Sequence, residues 1–442
     1  MNSLIAQPTR RLAGTCTVPG DKSISHRALM VAALTVGKTR VQNILEGDDV
    51  MRTAAALRLL GAEITQLDDG SWAIVGRGVG GLHEADDVLD LGNAGTGVRL
   101  LMGVAAGLPG VTHFTGDASL RQRPMGRVAT PLRAMGARII ARDGERLPLS
   151  VVGCDDLLPI EYATPVPSAQ IKSAVMLAAL YAPGETTVIE QRPTRDHTER
   201  LLRRFGAEVR TEPSETGQRV ILVGQPELTP ADIMVPGDPS SAAFVIVAAL
   251  ITKDSEVTVR GVGINPRRAA LFECLREMGA DLTINQTNAG DQGEPIADIV
   301  ARSSDLIGID VPTERAPDMI DEYPILAVAA ACASGPTRFN GVGELRVKES
   351  DRIAAMARGL AACGADVDEQ PDGLTIQGRG ALSGGASIAA AHDHRIAMAF
   401  LIAGLAASEA VRVDGVDTIE TSFPGFAALM QELGANIQRA SQ

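Results

Sequence analysis

Six times along the chain a helix ends in Gly-Ala and hands over to a short strand, and no other feature restricts the fold as much. The copies are LRLLGAEIT (57–65), LRAMGARII (132–140), LRRFGAEVR (202–210), LREMGADLT (275–283), LAACGADVD (360–368) and MQELGANIQ (430–438). Their glycines, Gly61, Gly136, Gly206, Gly279, Gly364 and Gly434, recur every 70 to 85 residues. Glycine at a helix end supplies the left-handed conformation that a side chain resists. The alternating residues behind it read as a strand. A second helix precedes each copy: 26–37, 97–108, 171–182, 242–251, 323–333 and 395–407. These six are apolar nearly all round, which marks buried helices. A β-rich stretch such as GVTHFTG or SEVTVRG follows each one.

The repeat therefore predicts an inverted α/β barrel, with apolar helices inside and strands outside, built from βαβαββ-type units. Val18-Pro-Gly-Asp-Lys-Ser23 returns as Val235-Pro-Gly-Asp-Pro-Ser240. Three units lie between the two, so we expect two domains, 21–235 and 1–20 plus 236–442, hinged near residues 20 and 236. The strand at about Gly14 to Val18 is expected to complete the second domain. At 442 residues the chain is too long for one ordinary core, which agrees. If the buried helices of each domain run parallel, their amino-terminal ends face one inter-domain cleft.

Composition narrows the function. A formal charge of −13 argues against a general binder of nucleic acid or anionic membrane. Aromatic residues are only 3%, too few for base-stacking platforms. Five scattered cysteines with no C-x-x-C pair suggest neither a disulfide framework nor a zinc site. Residues 1–11 lack the apolar core of a signal peptide, and no apolar run reaches spanning length, so a cytoplasmic protein is expected.

The chemistry collects where the buried helices begin. Lys22, Ser23 and Arg27 fall on the first turns of a helix that opens after a Pro-Gly turn. Two cations, a hydroxyl and a positive helix end suit phosphate. From these residues alone, an ordinary cap with solvated Lys22 and Arg27 reads equally well. LGNAGTG (91–97) opens another buried helix; Gly95 admits a ligand close to the backbone, and Asn93 and Thr96 can cap or donate. The other starts carry Ser168-Ala169-Gln170, Asp238-Pro239-Ser240, Asp318 to Asp321, and His392-Asp393-His394-Arg395. Arg121, Arg123 and Arg127 lie in a Pro- and Gly-containing loop, and Lys348, Glu349 and Arg352 open an amphipathic helix. Taken singly, such charges are ordinarily solvated. No G-x-S-x-G elbow or Cys/His pair offers a nucleophile. His392 and His394 face different ways at a helix start, so no metal is expected there.

With PGDKSISHRA, LGNAGTG, RQRPMGR, SAQIKSA, RPTRDHTER, DMIDEYP, RVKESDR and DHRIAMAF in this order, the whole chain closely resembles the EPSP synthase family of enolpyruvyl transferases. The resemblance implies two domains that close on substrate. It also implies transfer of the enolpyruvyl group of phosphoenolpyruvate to the 5-hydroxyl of shikimate 3-phosphate, in aromatic amino-acid biosynthesis, with release of phosphate and with no metal or organic cofactor. Lys22, Ser23, Arg27, Ser168, Ala169, Gln170, Asp321 and Lys348 would hold shikimate 3-phosphate. Lys22, Asn93, Gly95, Arg123, Gln170, Arg352 and Arg395 would hold phosphoenolpyruvate, with Arg195 close by. Asp321 would be the base for the attacking hydroxyl, and Glu349 and Lys22 the groups moving the proton at the methylene carbon.

The chain departs from the family in two places. Ala169 stands where other members have a second serine, and Glu420-Thr-Ser-Phe-Pro424 lacks a lysine that some carry. Gly95 leaves the pocket roomy enough for glyphosate, while Leu100 could shift the helix and weaken that binding. The alternatives are the sister transferase acting on UDP-N-acetylglucosamine and a non-catalytic scaffold that binds an anionic metabolite. The sister enzyme usually has a cysteine in the loop matching residues 115–123; here there is none. The two small molecules are the expected partners of a monomer.

Overall fold

A computed structural model describes residues 2–215, 217–287 and 293–440. The chain divides into two units, one of residues 20–235 with 290–294, the other of residues 1–19, 236–289 and 295–442.

In the amino-terminal unit the helices are α1 (Lys22–Ala33), α2 (Asp48–Leu59), α3 (Gly95–Ala106), α4 (Gly126–Ala134), α5 (Ala169–Ala179) and α6 (His197–Arg204). The other unit holds α7 (Pro239–Ile251), α8 (Ala270–Glu277), a one-turn α9 (Ala316–Met319), α10 (Tyr323–Cys332), α11 (Arg352–Ala362), α12 (His394–Ala406) and α13 (Phe426–Glu432). Helices α1, α3, α5, α7, α10 and α12 are the apolar ones, and nearly all their residues are buried. Helices α7, α10 and α12 pack on one another, as α3 does on α1 and α5. Each fully buried Leu, Ile or Val side chain contributes about 2 kcal/mol of transfer free energy, so helices of this kind are driven to the centre of the unit. Helices α3 and α5 approach so closely that a Cβ on Gly103 would overlap the Ala174 carbonyl.

Each repeat contributes one sheet, three per unit. The second repeat shows the plan. Strand Val111–Thr115, which follows α3, pairs antiparallel with Arg146–Val152 and parallel with the edge strand Leu89–Asp90 that precedes α3. Arg138–Arg142 then pairs with the other side of Arg146–Val152. The six Gly-Ala glycines all have positive φ, between 88° and 114°, as a left-handed helix end requires.

The strands that precede each unit's first core helix are exchanged. Ala13–Thr17, ahead of α1, pairs with Glu256–Gly263 behind α7. Ile233–Met234, ahead of α7, pairs with Val36–Gln42 behind α1. An earlier strand, Ser3–Gln7, was not foreseen; it fills the central place of the sixth sheet, between Val411–Asp414 and Asn436–Arg439. Its five residues are too short and too little alternating to stand out. Among the described residues, no helix is long and apolar enough to cross a membrane.

Candidate active site

Core-helix starts carry the site, and they are built in two ways. Asp21, Ser168, Asp238 and Asp393 cap α1, α5, α7 and α12, each accepting a backbone N–H of the first turn. Helices α3 and α10 have no side-chain cap bond. Asn93 does not cap α3; its amide donates to Asp117 at 2.7 Å and its carbonyl accepts from Arg123 at 2.6 Å. Asp321 lies between α9 and α10 rather than at the start of a long helix.

In the amino-terminal unit, Lys22 pairs with Asp49 at 3.2 Å. Arg27 is buried, donating to the Ser23 carbonyl at 2.9 Å and, at 2.8 Å each, to the hydroxyls of Thr198 and Ser173. Burial lowers its pKa to about 10, with the charge of Arg195 acting the same way and Asp21 and Glu199 opposing; it remains a cation at neutral pH. Next to it on α1, His26 is fully buried; burial, helped by Lys22 and Arg27, drives its pKa to about 3, so the ring is neutral and bonds to Thr53.

Gly95 opens α3 between two guanidinium groups. A Cβ there would come within 3.1 Å of both Arg123 Nη1 and Arg99 Nη1. Gln170 joins this cluster, donating to Thr96 Oγ1 at 3.0 Å and accepting from Arg99 at 3.2 Å. Arg99 was missed in the sequence, where it reads as one charge inside an apolar helix. That isolation was the signal, since an arginine on a buried helix needs a polar partner. Ser168 and Ala169 stand at the start of α5 beside Gln170. Arg121 is exposed and bonds only the Asp117 carbonyl among the contacts resolved for it, and Arg127 is exposed too.

In the second unit, one network joins Asp321, Lys348, Glu349, Arg352 and Arg395. Arg352 is 1% exposed. It meets Asp393 with two nitrogens at 2.8 and 3.3 Å, Glu349 at 2.6 Å and Asp321 at 3.3 Å. Lys348 stands 3.9 Å from the same Asp321 oxygen. Arg395 donates to the Asp321 carbonyl at 3.1 Å. Burial alone would lower the pKa of Arg352, but Asp393, Glu349 and Asp321 outweigh it and the pKa rises. For Asp393, burial pushes the carboxyl up, but the charge and hydrogen bond of Arg352 together with the charge of His394 bring it below its ordinary value. Behind Arg395, Glu322 bonds Ser240, whose hydroxyl also accepts from Arg268 at 2.6 Å. The buried Asp393, which the sequence offers as a core-helix start and not as a partner of Arg352, is therefore the anchor of Arg352.

One group of described residues has the spacing of metal ligands: Asp196, His197 and Glu294. Glu294 bonds His197 Nδ1 at 2.6 Å and Asp196 pairs with Arg200 at 2.9 Å. Positive charge from Arg27 and Arg200 acts on this neighbourhood, so protein cations already balance these carboxylates.

Arginines, lysines and carboxylates gathered at and beside helix starts suit a protein that handles small oxyanions. The family model of EPSP synthase (3-phosphoshikimate 1-carboxyvinyltransferase) matches residues 6–430. The 3-phosphoshikimate 1-carboxyvinyltransferase of Paramagnetospirillum magneticum is 60% identical over 429 residues, 96% of each chain. That of Parvibaculum lavamentivorans is 56% identical over 444 residues, covering 100% of this chain and 98% of its own. The solved structure of the Acinetobacter baumannii EPSP synthase superposes with a TM-score of 0.89 at 44% identity, covering all of both chains. The chain belongs to the EPSP synthase family.

Proposed function

We propose that this chain transfers the enolpyruvyl group of phosphoenolpyruvate to the 5-hydroxyl of shikimate 3-phosphate, and that the clusters of both units act on that one pair of substrates. Lys22, Ser23, Arg27, Ser168, Ala169, Gln170, Asp321 and Lys348 take shikimate 3-phosphate, with Arg195 beside Arg27. Lys22, Asn93, Gly95, Arg123, Gln170, Arg352 and Arg395 take phosphoenolpyruvate. Both substrates are polyanions, so cations must neutralise them before they can meet. Arginine grips carboxylate or phosphate with two parallel bonds and so fixes orientation as well as charge.

In the reaction the hydroxyl oxygen bonds to the central carbon of phosphoenolpyruvate and the bond from that carbon to phosphate oxygen breaks. A proton joins the methylene carbon and is later removed. Asp321 takes the hydroxyl proton, and Glu349 and Lys22 serve the carbon. Exclusion of water from the bound substrates strengthens these contacts as charge develops.

The observation that carries this reading is Asp321 held among Lys348, Arg352 and Arg395. Transfer to a hydroxyl needs a proton acceptor among the cations, which a scaffold that only bound an anion does not. The test is phosphate release with phosphoenolpyruvate and either shikimate 3-phosphate or UDP-N-acetylglucosamine as acceptor. Release with the first alone is expected; release with the nucleotide sugar, or with neither, overturns the proposal.

A further inference from the structure

Three segments that are far apart in the sequence lock together around Arg27. Ser173 comes from SAQIKSA on α5, Thr198 from RPTRDHTER on α6, and Arg27 from PGDKSISHRA on α1. The Arg27 Nε donates to Thr198 Oγ1 and Nη2 to Ser173 Oγ, at 2.8 Å each. The two hydroxyls bond each other at 2.7 Å, so they form one polar edge matched to one edge of the guanidinium. Nη1 donates to the Ser23 carbonyl. Of the five N–H groups that a guanidinium carries, two are left, one on each terminal nitrogen. Those are the positions from which arginine grips an oxyanion end-on. All three side chains are at least 97% buried.

The edge is itself anchored. Lys172, preceding Ser173, pairs with Glu199, following Thr198, at 2.7 Å, and with Glu190 at 2.9 Å, all three wholly buried. It also donates to the Thr194 carbonyl at 3.3 Å, one residue from Arg195. Gln218 and the Thr194 hydroxyl bond to Glu190. Adjacent residues on α5 and on α6 therefore make two parallel ties, one charged and one hydroxylic, and the hydroxylic tie is the one that meets Arg27.

We infer that Ser173 and Thr198 are positioning residues, which aim the Arg27 guanidinium at an anionic group of shikimate 3-phosphate. This rests on the reading above that Arg27 takes that substrate. Neither hydroxyl touches the substrate; each acts by removing the rotational freedom of Arg27 and by leaving only its end-on edge for the ligand.

The test is steady-state kinetics of Thr198→Val and Ser173→Ala, each keeping nearly the shape of the original side chain, with Thr198→Ser as the conservative control. Loss of a hydrogen bond to a charged group should raise the KM for shikimate 3-phosphate on the order of tenfold in each. The KM for phosphoenolpyruvate should stay within about twofold, and Thr198→Ser should restore the native value. An equal rise in both KM values, or failure of the serine to rescue, marks a merely structural effect and overturns the inference. So does a native KM in both variants. Arg27→Gln separates the two claims: if it leaves the KM for shikimate 3-phosphate native, the assignment of Arg27 itself is wrong; if it raises that KM while the hydroxyl variants do not, only the positioning role is lost.

Discussion

Replacing Asp393 by alanine tests whether the second unit's cations are held by the network described. Asp393 is wholly buried and performs two tasks: it caps α12 and meets the buried Arg352 with both oxygens. Loss of the cap costs about 1 kcal/mol. Removing one partner of a buried ion pair costs about 3–5 kcal/mol. The lower figure applies, because Glu349 and Asp321 still face the guanidinium at 2.6 and 3.3 Å. The total is about 4 kcal/mol, and at about 2–4 °C per kcal/mol for a unit of this size the melting temperature should fall by roughly 8–16 °C. Asp393→Asn keeps the capping oxygen and one bond to Arg352, so its fall should be about half as large. The assay is thermal unfolding followed by circular dichroism, with the KM for phosphoenolpyruvate measured below the transition. Because the carboxyl is held below its ordinary 3.8 by Arg352, its contribution is complete above that pH. It is lost as the pH falls through the lowered value. The native protein should therefore lose more stability than Asp393→Asn on acidification below about pH 4. Melting within 1–2 °C of native for the alanine variant, an error-sized shift against about 4 kcal/mol, refutes the reasoning.

Three further outcomes follow from other parts of the molecule. Gly103→Ala drives a methyl group into the Ala174 carbonyl where α3 meets α5; it should destabilise by about 1–3 kcal/mol in urea unfolding, and a native midpoint would mean that the two helices separate freely. Glyphosate should inhibit the native protein in competition with phosphoenolpyruvate. Gly95→Ala, whose methyl group would press on Arg123 and Arg99 at 3.1 Å, should weaken the inhibitor more than the substrate; undiminished native activity at glyphosate well above the phosphoenolpyruvate concentration contradicts this. Treatment with a chelator should leave kcat unchanged; a rate lost to chelator and restored by a divalent ion contradicts this and would make Asp196, His197 and Glu294 the first ligands to test by substitution.

What the sequence made legible was whatever depends on neighbours along the chain. The left-handed glycines follow from a local rule, and all six have the positive φ it demands. The buried helices follow from their lack of a polar face, and Asp21, Ser168, Asp238 and Asp393 cap as residues of their type do. What stayed hidden depends on distant partners. Arg352 finds Asp393 41 residues away, and Arg27 finds Thr198 at a separation of 171. Nothing in RVKESDR distinguishes the wholly buried Arg352 from the partly exposed Arg346 six residues earlier. For Asn93 the sequence leaves capping and donating both open for a similar reason: its turn suits a cap, but the distant Asp117 and Arg123 take up its amide. The family motifs located these residues without revealing what holds them.

The central claim is that cations from both units serve one pair of substrates. It is tested most directly by the kcat/KM for phosphoenolpyruvate of Arg123→Ala and of Arg395→Ala, each assayed with saturating shikimate 3-phosphate. Each single change should lower it by at least about a hundredfold, the effect of removing one side of a desolvated charge contact, while the protein stays folded. A near-native value in either variant contradicts the account.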